Sequence, residues 1–292
     1  AVIIRLSDDG TYNMLLGCTD MGTGCDTILV QMAADCLECR MEDIAVYASD
    51  TDTAPYDSGS YASATTYVTG MACVRACEEL RGKIIRQGAK MLNLSEEEVA
   101  FDGKRVFSLE DETRSADLAS IAYSGQCGCS DVLSATVSHS SPVSPPPFMA
   151  GAAEVEVDPE TGHVELIDYV AAVDCGTPIN PNLARVQTEG GLVQGIGMAL
   201  YEDIVYAADG TNLSNSFMQY KIPSRLDIGT VRVEFESSYE PTGPFGAKSI
   251  GEVVINTPSP AIADAVARAT GVRVRTLPIT AEKIVRGMMD KQ

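Results

Sequence analysis

The residues best suited to proton chemistry in this chain close a glycine-punctuated loop, Gly246-Ala247-Lys248-Ser249-Ile250-Gly251-Glu252. The apolar run Val253, Val254, Ile255 follows directly, so the Glu252 carboxylate is expected to be partly desolvated. Desolvation disfavours the charged form and raises a carboxyl pKa, which suits proton transfer near neutrality. A surface loop that happens to end in Glu is the plainer meaning of the same stretch. Two other segments offer groups to an anion. Asp20-Met21-Gly22-Thr23-Gly24-Cys25-Asp26-Thr27 lies between an expected strand and an expected helix, an arrangement that presents backbone amides at a helix N-terminus. Ser60-Tyr61-Ala62-Ser63-Ala64-Thr65-Thr66 opens a second helix with small hydroxyl residues, for which ordinary N-capping is the commoner use. Gln194 adds two amide donors and an acceptor in a third helix, among Gly190, Gly191, Gly195 and Gly197. A glycine in a helix interior costs roughly 1 kcal/mol relative to Ala. Four of them therefore imply close approach, either of a ligand or of another backbone in tight packing.

The bulk composition narrows the classes of function. The 292 residues carry a formal net charge of −20 and are 45% hydrophobic, a globular composition long enough for one large domain or two lobes. So acidic a chain argues against nucleic acid and anionic membranes as partners. An anionic ligand must then be held by backbone amides and helix N-termini. No apolar run reaches the roughly 18 residues that span a bilayer, and no basic-then-apolar leader opens the chain. The chain opens directly on a strand, as a fragment or processed subunit would. Nine cysteines without small-domain spacing point to a reducing, cytoplasmic setting and not to a disulfide framework. Cys36 and Cys39 form a C-x-x-C on an expected helix face, and Cys127-Gly128-Cys129 lies in an expected loop; neither has a second pair. With only His139 and His163 present, a histidine-rich metal site is excluded, and the cysteines are expected to be buried small hydrophobes.

The elements that must position these residues follow from periodicity and turn signals. Residues 2–6 and 11–17 form a hairpin across Ser7-Asp8-Asp9-Gly10, followed by a helix marked by Ile28, Met32, Asp35 or Cys36, and Cys39. Residues 44–48 are a short strand, and 64–92 a long helix. Residues 99–101 and 105–109 flank Asp102-Gly103 as a second hairpin, and 115–123 reads as a short helix. The Ser-, Gly- and Pro-rich stretch 124–148 predicts a connector, with 137–148 joining a first lobe of 1–136 to a second lobe of 149–292. In the second lobe, residues 153–157 and 164–173 pair across Asp158-Pro159-Glu160-Thr161-Gly162, and 183–201 is the glycine-rich helix. Short strands are expected at 204–206, near Leu213, at 231–236 and at 272–277, with helices from Thr257-Pro258 to about Ala269 and over 280–289. Mixed hairpins and helices indicate an α+β fold, not a doubly wound parallel sheet.

Five of these stretches resemble, in order and spacing, the molybdenum hydroxylases: xanthine dehydrogenases, aldehyde oxidoreductases and their relatives. Thr19-Asp20-Met21-Gly22-Thr23-Gly24 is similar to the family's T-E-M-G-Q-G loop, and Ser58-Gly59-Ser60-Tyr61-Ala62-Ser63 to its second cofactor loop. Val186-Gln187-Thr188-Glu189-Gly190-Gly191-Leu192-Val193-Gln194-Gly195-Ile196-Gly197 resembles Q-x-E-G-x-x-V-Q-G-x-G. Tyr220-Lys221-Ile222-Pro223 is a family feature, and Ala247-Lys248-Ser249-Ile250-Gly251-Glu252 is similar to A-K-x-V-G-E. The resemblance covers essentially the whole chain and corresponds to the C-terminal half of the family's molybdopterin-binding portion.

The resemblance implies a two-lobed molybdopterin-binding fold of the xanthine dehydrogenase/aldehyde oxidase type. It implies a cytoplasmic oxidoreductase that hydroxylates an electron-poor sp² carbon of a purine such as xanthine, or of another N-heteroaromatic such as nicotinate; aldehydes are a further substrate class in the family. Glu252 would be the catalytic base. Gly22, Thr23, Gly24, Ser60, Tyr61, Ala62, Ser63, Gln194 and Gly251 would contact a molybdenum–molybdopterin cofactor, with the cytosine dinucleotide as one form the resemblance allows. No side chain is expected to ligate molybdenum, which the pterin would hold. Three departures stand out: Thr23 replaces the usual Gln, Val253-Val254 replace the common Pro-Pro, and the motifs of the N-terminal half are missing with the iron–sulfur and flavin domains. The expected partners are therefore that N-terminal half, a [2Fe-2S] subunit or domain and an FAD subunit or domain. A non-catalytic assembly subunit that no longer binds the cofactor is the competing reading.

Overall fold

A computed structural model describes residues 1–127 and 132–290, with the side chains of 126 and 127 excepted. The polypeptide divides into two compact units, Ala1–Pro145 with Tyr239–Ser249, and Pro146–Ser238 with Ile250–Gln292.

In the first unit, β1 (Val2–Leu6) and β2 (Tyr12–Leu16) alternate buried and outward residues and pair antiparallel in the register Val2 to Leu16. This is the expected hairpin, and period-2 burial of Val2, Ile4 and Leu6 fixes its register. α1 (Cys25–Leu37) begins at Gly24 and ends at Glu38, both left-handed; β3 (Ile44–Ala48) then returns parallel to β2. A π-type turn over Thr65–Thr69 leads into α2 (Gly70–Leu92), so the long helix is present but its first turn is wider than an α-helix. β4 (Val99–Phe101), β5 (Arg105–Ser108) and β6 (Ser115–Asp117) form a small antiparallel sheet, and α3 (Leu118–Cys127) follows. Residues 115–117 are thus strand where a helix was expected; Ala116 pairs with Val106, and this tertiary pairing outweighs local preference. β7 (Ser134–Val137) lies in the stretch expected to be a connector. It pairs antiparallel with β1 and completes the four-stranded order β3-β2-β1-β7. Its sequence, Ser-Ala-Thr-Val, carries too little apolar signal to be seen without its partner strand. The core beneath the sheet holds Ile4, Met14, Leu16, Leu29, Met32, Leu80 and Ile84, all fully or almost fully buried.

In the second unit, β8 (Phe148–Val157) and β9 (Val164–Asp174) pair antiparallel with a register shift at Glu154/Val155, and β10 (Thr230–Phe235) lies parallel to β9. α4 (Pro181–Leu200) starts at Asn180, whose Oδ1 accepts from the Leu183 amide. α5 (Pro258–Thr270) ends at left-handed Gly271, and α6 (Ala281–Met289) is capped by Thr280. Val164, Leu166, Ile196, Ile262, Val266 and Ile284 form one buried cluster of this unit, and Tyr169, Val173, Leu192 and Val233 belong to another. The strands expected at 204–206 and near Leu213 reduce to one bridge between Tyr206 and Asn212. Residues 272–277 are not a strand either: the alternation of Val272 and Val274 serves packing, since Val272 lies over Gly287 of α6 with no neighbouring strand to pair with. Three small sheets, two mixed and one antiparallel, packed with helices make an α+β fold, as expected.

Candidate functional site

The first unit brings its two candidate cofactor loops together. The Ser60 hydroxyl donates to the Thr19 carbonyl at 3.0 Å, although 41 residues separate them. The 20–27 loop is organised around Asp20. Its Oδ1 accepts from the amides of Gly22 (2.9 Å) and Gly24 (3.1 Å), and its Oδ2 from that of Asp26 (3.4 Å). Partial burial works against the charge of Asp20, but these amides outweigh it and hold the carboxyl below its ordinary range. The Gly22 and Gly24 amides expected to face an anion therefore already serve a carboxylate of the chain itself. What remains for a ligand are the carbonyls, Thr23 and the clear space before Gly22. Gly22 sits at φ 103°, where a side chain is strained, and a Cβ there would meet nothing within 4 Å.

The second loop is strained. Ala62 (φ 51°) and Ser63 (φ 53°) are consecutive left-handed residues without a glycine between them. Such backbone costs on the order of 1–2 kcal/mol per residue and clusters at ligand-binding loops. Tyr61 beside them is exposed; its amide donates to the Gly59 carbonyl at 3.1 Å, and its carbonyl accepts from the Ala64 amide.

The second unit carries the other three predicted residues, Gln194, Gly251 and Glu252. Gln194 is exposed on α4, opposite the buried face of Leu192, Ile196 and Ala199. The glycines around it divide by role. A Cβ on Gly191 would fall 2.1 Å from Val254 Cγ2, and one on Gly195 would fall 2.6 Å from Pro258 Cγ and 2.9 Å from the Ile255 carbonyl. One on Gly190 would meet nothing within 4 Å. Of the two explanations for these glycines, close packing of the chain on itself accounts for Gly191 and Gly195.

That packing positions the Glu252 loop. Val254, 1% exposed, wedges against α4 from the short turn Val253–Ile255, and Glu252 stands at the start of that turn. Gln187 adds a polar tie: its Nε2 donates to the Gly251 carbonyl at 2.9 Å. Glu252 itself is exposed, so the desolvation expected from the apolar run is not supplied. Of the run, Val254 is buried and Val253 and Ile255 are half-buried, while Glu252 stays exposed.

Three features escaped the sequence reading. Asp20 and Gln187 stood inside quoted motifs, but only the fold shows what they hold. Cys18 and Cys25 bracket the 19–24 loop, and with Asp26 they place three donor atoms within 4.8 Å of one another. The remaining cysteines follow expectation more closely. Cys73 and Cys77 are buried thiols, and Cys36 lies beside Cys77. Cys39 lies beyond the end of α1, not on its face, and burial first, then Asp43, pushes its thiol up to about 11. The Cys127-Gly128-Cys129 stretch lies outside the described residues. Among the described residues no helix is long and apolar enough to cross a membrane.

Comparison with known proteins identifies the family. Residues 1–229 match the family described as molybdopterin cofactor-binding domain. The chain is 37% identical over 291 residues to the "Probable hypoxanthine oxidase XdhD" of Escherichia coli (strain K12), covering 98% of this chain and 30% of that protein. It is 33% identical to the "Xanthine dehydrogenase molybdenum-binding subunit" of Escherichia coli O157:H7, covering 96% of this chain and 38% of that subunit. The crystal structure of quinoline 2-oxidoreductase from Pseudomonas putida 86 superposes with a TM-score of 0.89 at 27% identity, over 99% of this chain and 38% of that one. The chain thus spans roughly a third of the length of these relatives, within their later portion. With a match over residues 1–229 and a fold shared almost end to end, the chain belongs to the molybdopterin cofactor-binding domain family.

Proposed function

We propose that this chain is the molybdopterin-binding part of a molybdenum hydroxylase that oxidises an electron-poor sp² carbon of a purine, or of another N-heteroaromatic, with Glu252 as the base. The names of its relatives, a probable hypoxanthine oxidase, a xanthine dehydrogenase subunit and a quinoline 2-oxidoreductase, support that substrate class. One observation carries the assignment of Glu252: Gln187 pins the Gly251 carbonyl at 2.9 Å while Val254 anchors the turn behind, so an exposed carboxylate projects from a fixed backbone. A general base acts only from a set direction toward the proton it takes.

The chain's residues suit the cofactor in a particular way. Clear space lies before Gly22, the strained pair Ala62 and Ser63 sits on the neighbouring loop, and Thr19 and Ser60 tie the two loops together. Thr23, the carbonyls of Gly22 to Gly24, and residues Ser60, Tyr61, Ala62 and Ser63 would hold the pterin, and the resemblance adds Gln194 and Gly251 as cofactor contacts. When bound, the cofactor supplies the two-electron oxidation. Glu252 would accept, at a carboxylate oxygen, the proton released as the attacking oxygen bonds to carbon. The N-terminal half of the molybdopterin-binding portion, a [2Fe-2S] domain and an FAD domain are the proposed partners.

A second reading, an assembly subunit without cofactor, has one observation in its favour: Asp20 already takes the amides of Gly22, Gly24 and Asp26. Glu252→Gln tests the first reading and metal analysis the second. In the complete complex the variant should keep its molybdenum and lose at least about 10²-fold in turnover, the usual effect of removing a proton acceptor. Near wild-type turnover in a molybdenum-replete variant removes Glu252 from the mechanism. A wild-type complex without molybdenum favours the assembly subunit.

A further inference from the structure

The thiols at the two ends of the 19–24 loop converge. Cys18 follows β2 and is fully buried; Cys25 opens α1 and is 3% exposed; Asp26, next in the helix, is partly buried. Their two sulfurs and one carboxylate oxygen lie within 4.8 Å of one another, and Cys25 Sγ is 3.7 Å from Asp26 Oδ1. Tetrahedral zinc, with Zn–S near 2.3 Å and Zn–O near 2.0 Å, places a sulfur and an oxygen ligand about 3.5 Å apart and two sulfurs about 3.8 Å apart. The Cys25–Asp26 pair therefore stands close to the spacing a zinc ion would impose, and the other two pairs are no more than 4.8 Å apart.

The charges around them point the same way. The groups acting on the Cys25 thiol are Cys18, Asp20 and Asp26, and the charge acting on Asp26 is Asp20; none is cationic. Asp20 is committed to the loop amides, so it completes the field without competing as a ligand. We propose that Cys18, Cys25 and Asp26 form a zinc site with three protein ligands that clamps both ends of the 19–24 loop, with a water in the fourth position on the solvent-facing side of Asp26. Two thiolates select zinc over magnesium or calcium, which prefer oxygen. Binding exchanges two thiol protons for one Zn²⁺, so the total charge of the site is unchanged. The site is independent of molybdenum and does not rest on the cofactor reading.

The test uses the full chain, purified with reductant and stripped with chelator, then titrated with Co²⁺ as an optical probe. One Co²⁺ per chain should bind with a thiolate-to-cobalt charge-transfer band in the near ultraviolet, and Zn²⁺ should displace it. Cys18→Ser and Cys25→Ser should each abolish the band. Asp26→Asn should weaken binding at least as much as the 10–100-fold loss seen for outer-shell partners. Cys36→Ser, which alters the separate thiol group with Cys77, should leave the band intact. X-ray absorption on the zinc-loaded wild type, showing two sulfur and two lighter ligands, supplies a readout that needs no variant to fold. The proposal is overturned if no thiolate band forms, or if the band survives Cys18→Ser and disappears in Cys36→Ser. It is equally overturned if the untreated chain lacks two titratable thiols at positions 18 and 25, which would make the pair a disulfide.

Discussion

At the residue scale, the first unit keeps a polar atom it cannot satisfy. Tyr12 is fully buried in β2, and its hydroxyl has no hydrogen-bond partner among the described residues. An unsatisfied buried polar group costs about 1–3 kcal/mol. Tyr12→Phe should therefore stabilise the fold by up to about 1–3 kcal/mol and raise the melting temperature. The same residue gives a pH dependence. Burial first, then the neighbouring Cys39, Cys77 and Asp43, push its phenol above the ordinary value. A group kept neutral in the fold stabilises below its unfolded pKa, near 10, and loses that contribution as the pH rises further. The stability gap between Tyr12→Phe and wild type should thus widen above pH 10 in thermal melts; a constant gap would mean that the phenol titrates normally in the fold.

At the element scale, α4 shows how one helix can carry glycines of opposite meaning. Gly190 faces open space, so Gly190→Ala should add the helix propensity it lacks, stabilising by up to about 1 kcal/mol. A Cβ on Gly191, one residue on, would fall 2.1 Å from Val254 Cγ2, so Gly191→Ala should destabilise by about 1–3 kcal/mol through overpacking. The double variant Gly191→Ala, Val254→Ala should recover part of that loss, because the two residues are in direct contact. Chemical denaturation of the four proteins checks the signs. If both alanines behave alike, the wedge of Val254 does not set the position of the Glu252 loop. The Gln187 tie belongs to the same arrangement, since it spans from α4 to Gly251.

At the scale of the whole molecule, the net charge of −20 and the short span of the chain within its relatives act together. With few basic side chains, cofactor contacts must come from backbone and amide groups, and Asp20 already occupies part of that supply. We expect the chain expressed alone to fold but to carry no molybdenum, and co-expression with the N-terminal half to restore the metal. Elemental analysis of both preparations decides it: stoichiometric molybdenum in the chain alone would show that its own contacts suffice.

The sequence by itself determined what depends on neighbours in the chain. The β1–β2 and β4–β5 hairpins were legible from turn residues between alternating strands, and α1, α2, α4, α5 and α6 from periodic apolar positions bounded by capping residues. The motifs around Gly22, Ser60, Gln194 and Glu252 were legible as well, because each is contiguous. The tertiary structure decided whatever depends on residues distant in sequence. Strand β7 exists because β1 offers it a ladder, and residues 272–277 are not a strand because nothing offers them one. Only the fold could show that Ser60 reaches Thr19, that Gln187 holds Gly251, or that Cys18 and Cys25 meet. Burial follows the same division. The apolar run after Glu252 suggested a shielded carboxylate, yet burial belongs to a packed surface: Val254 entered the groove at Gly191, and Glu252 was left facing solvent.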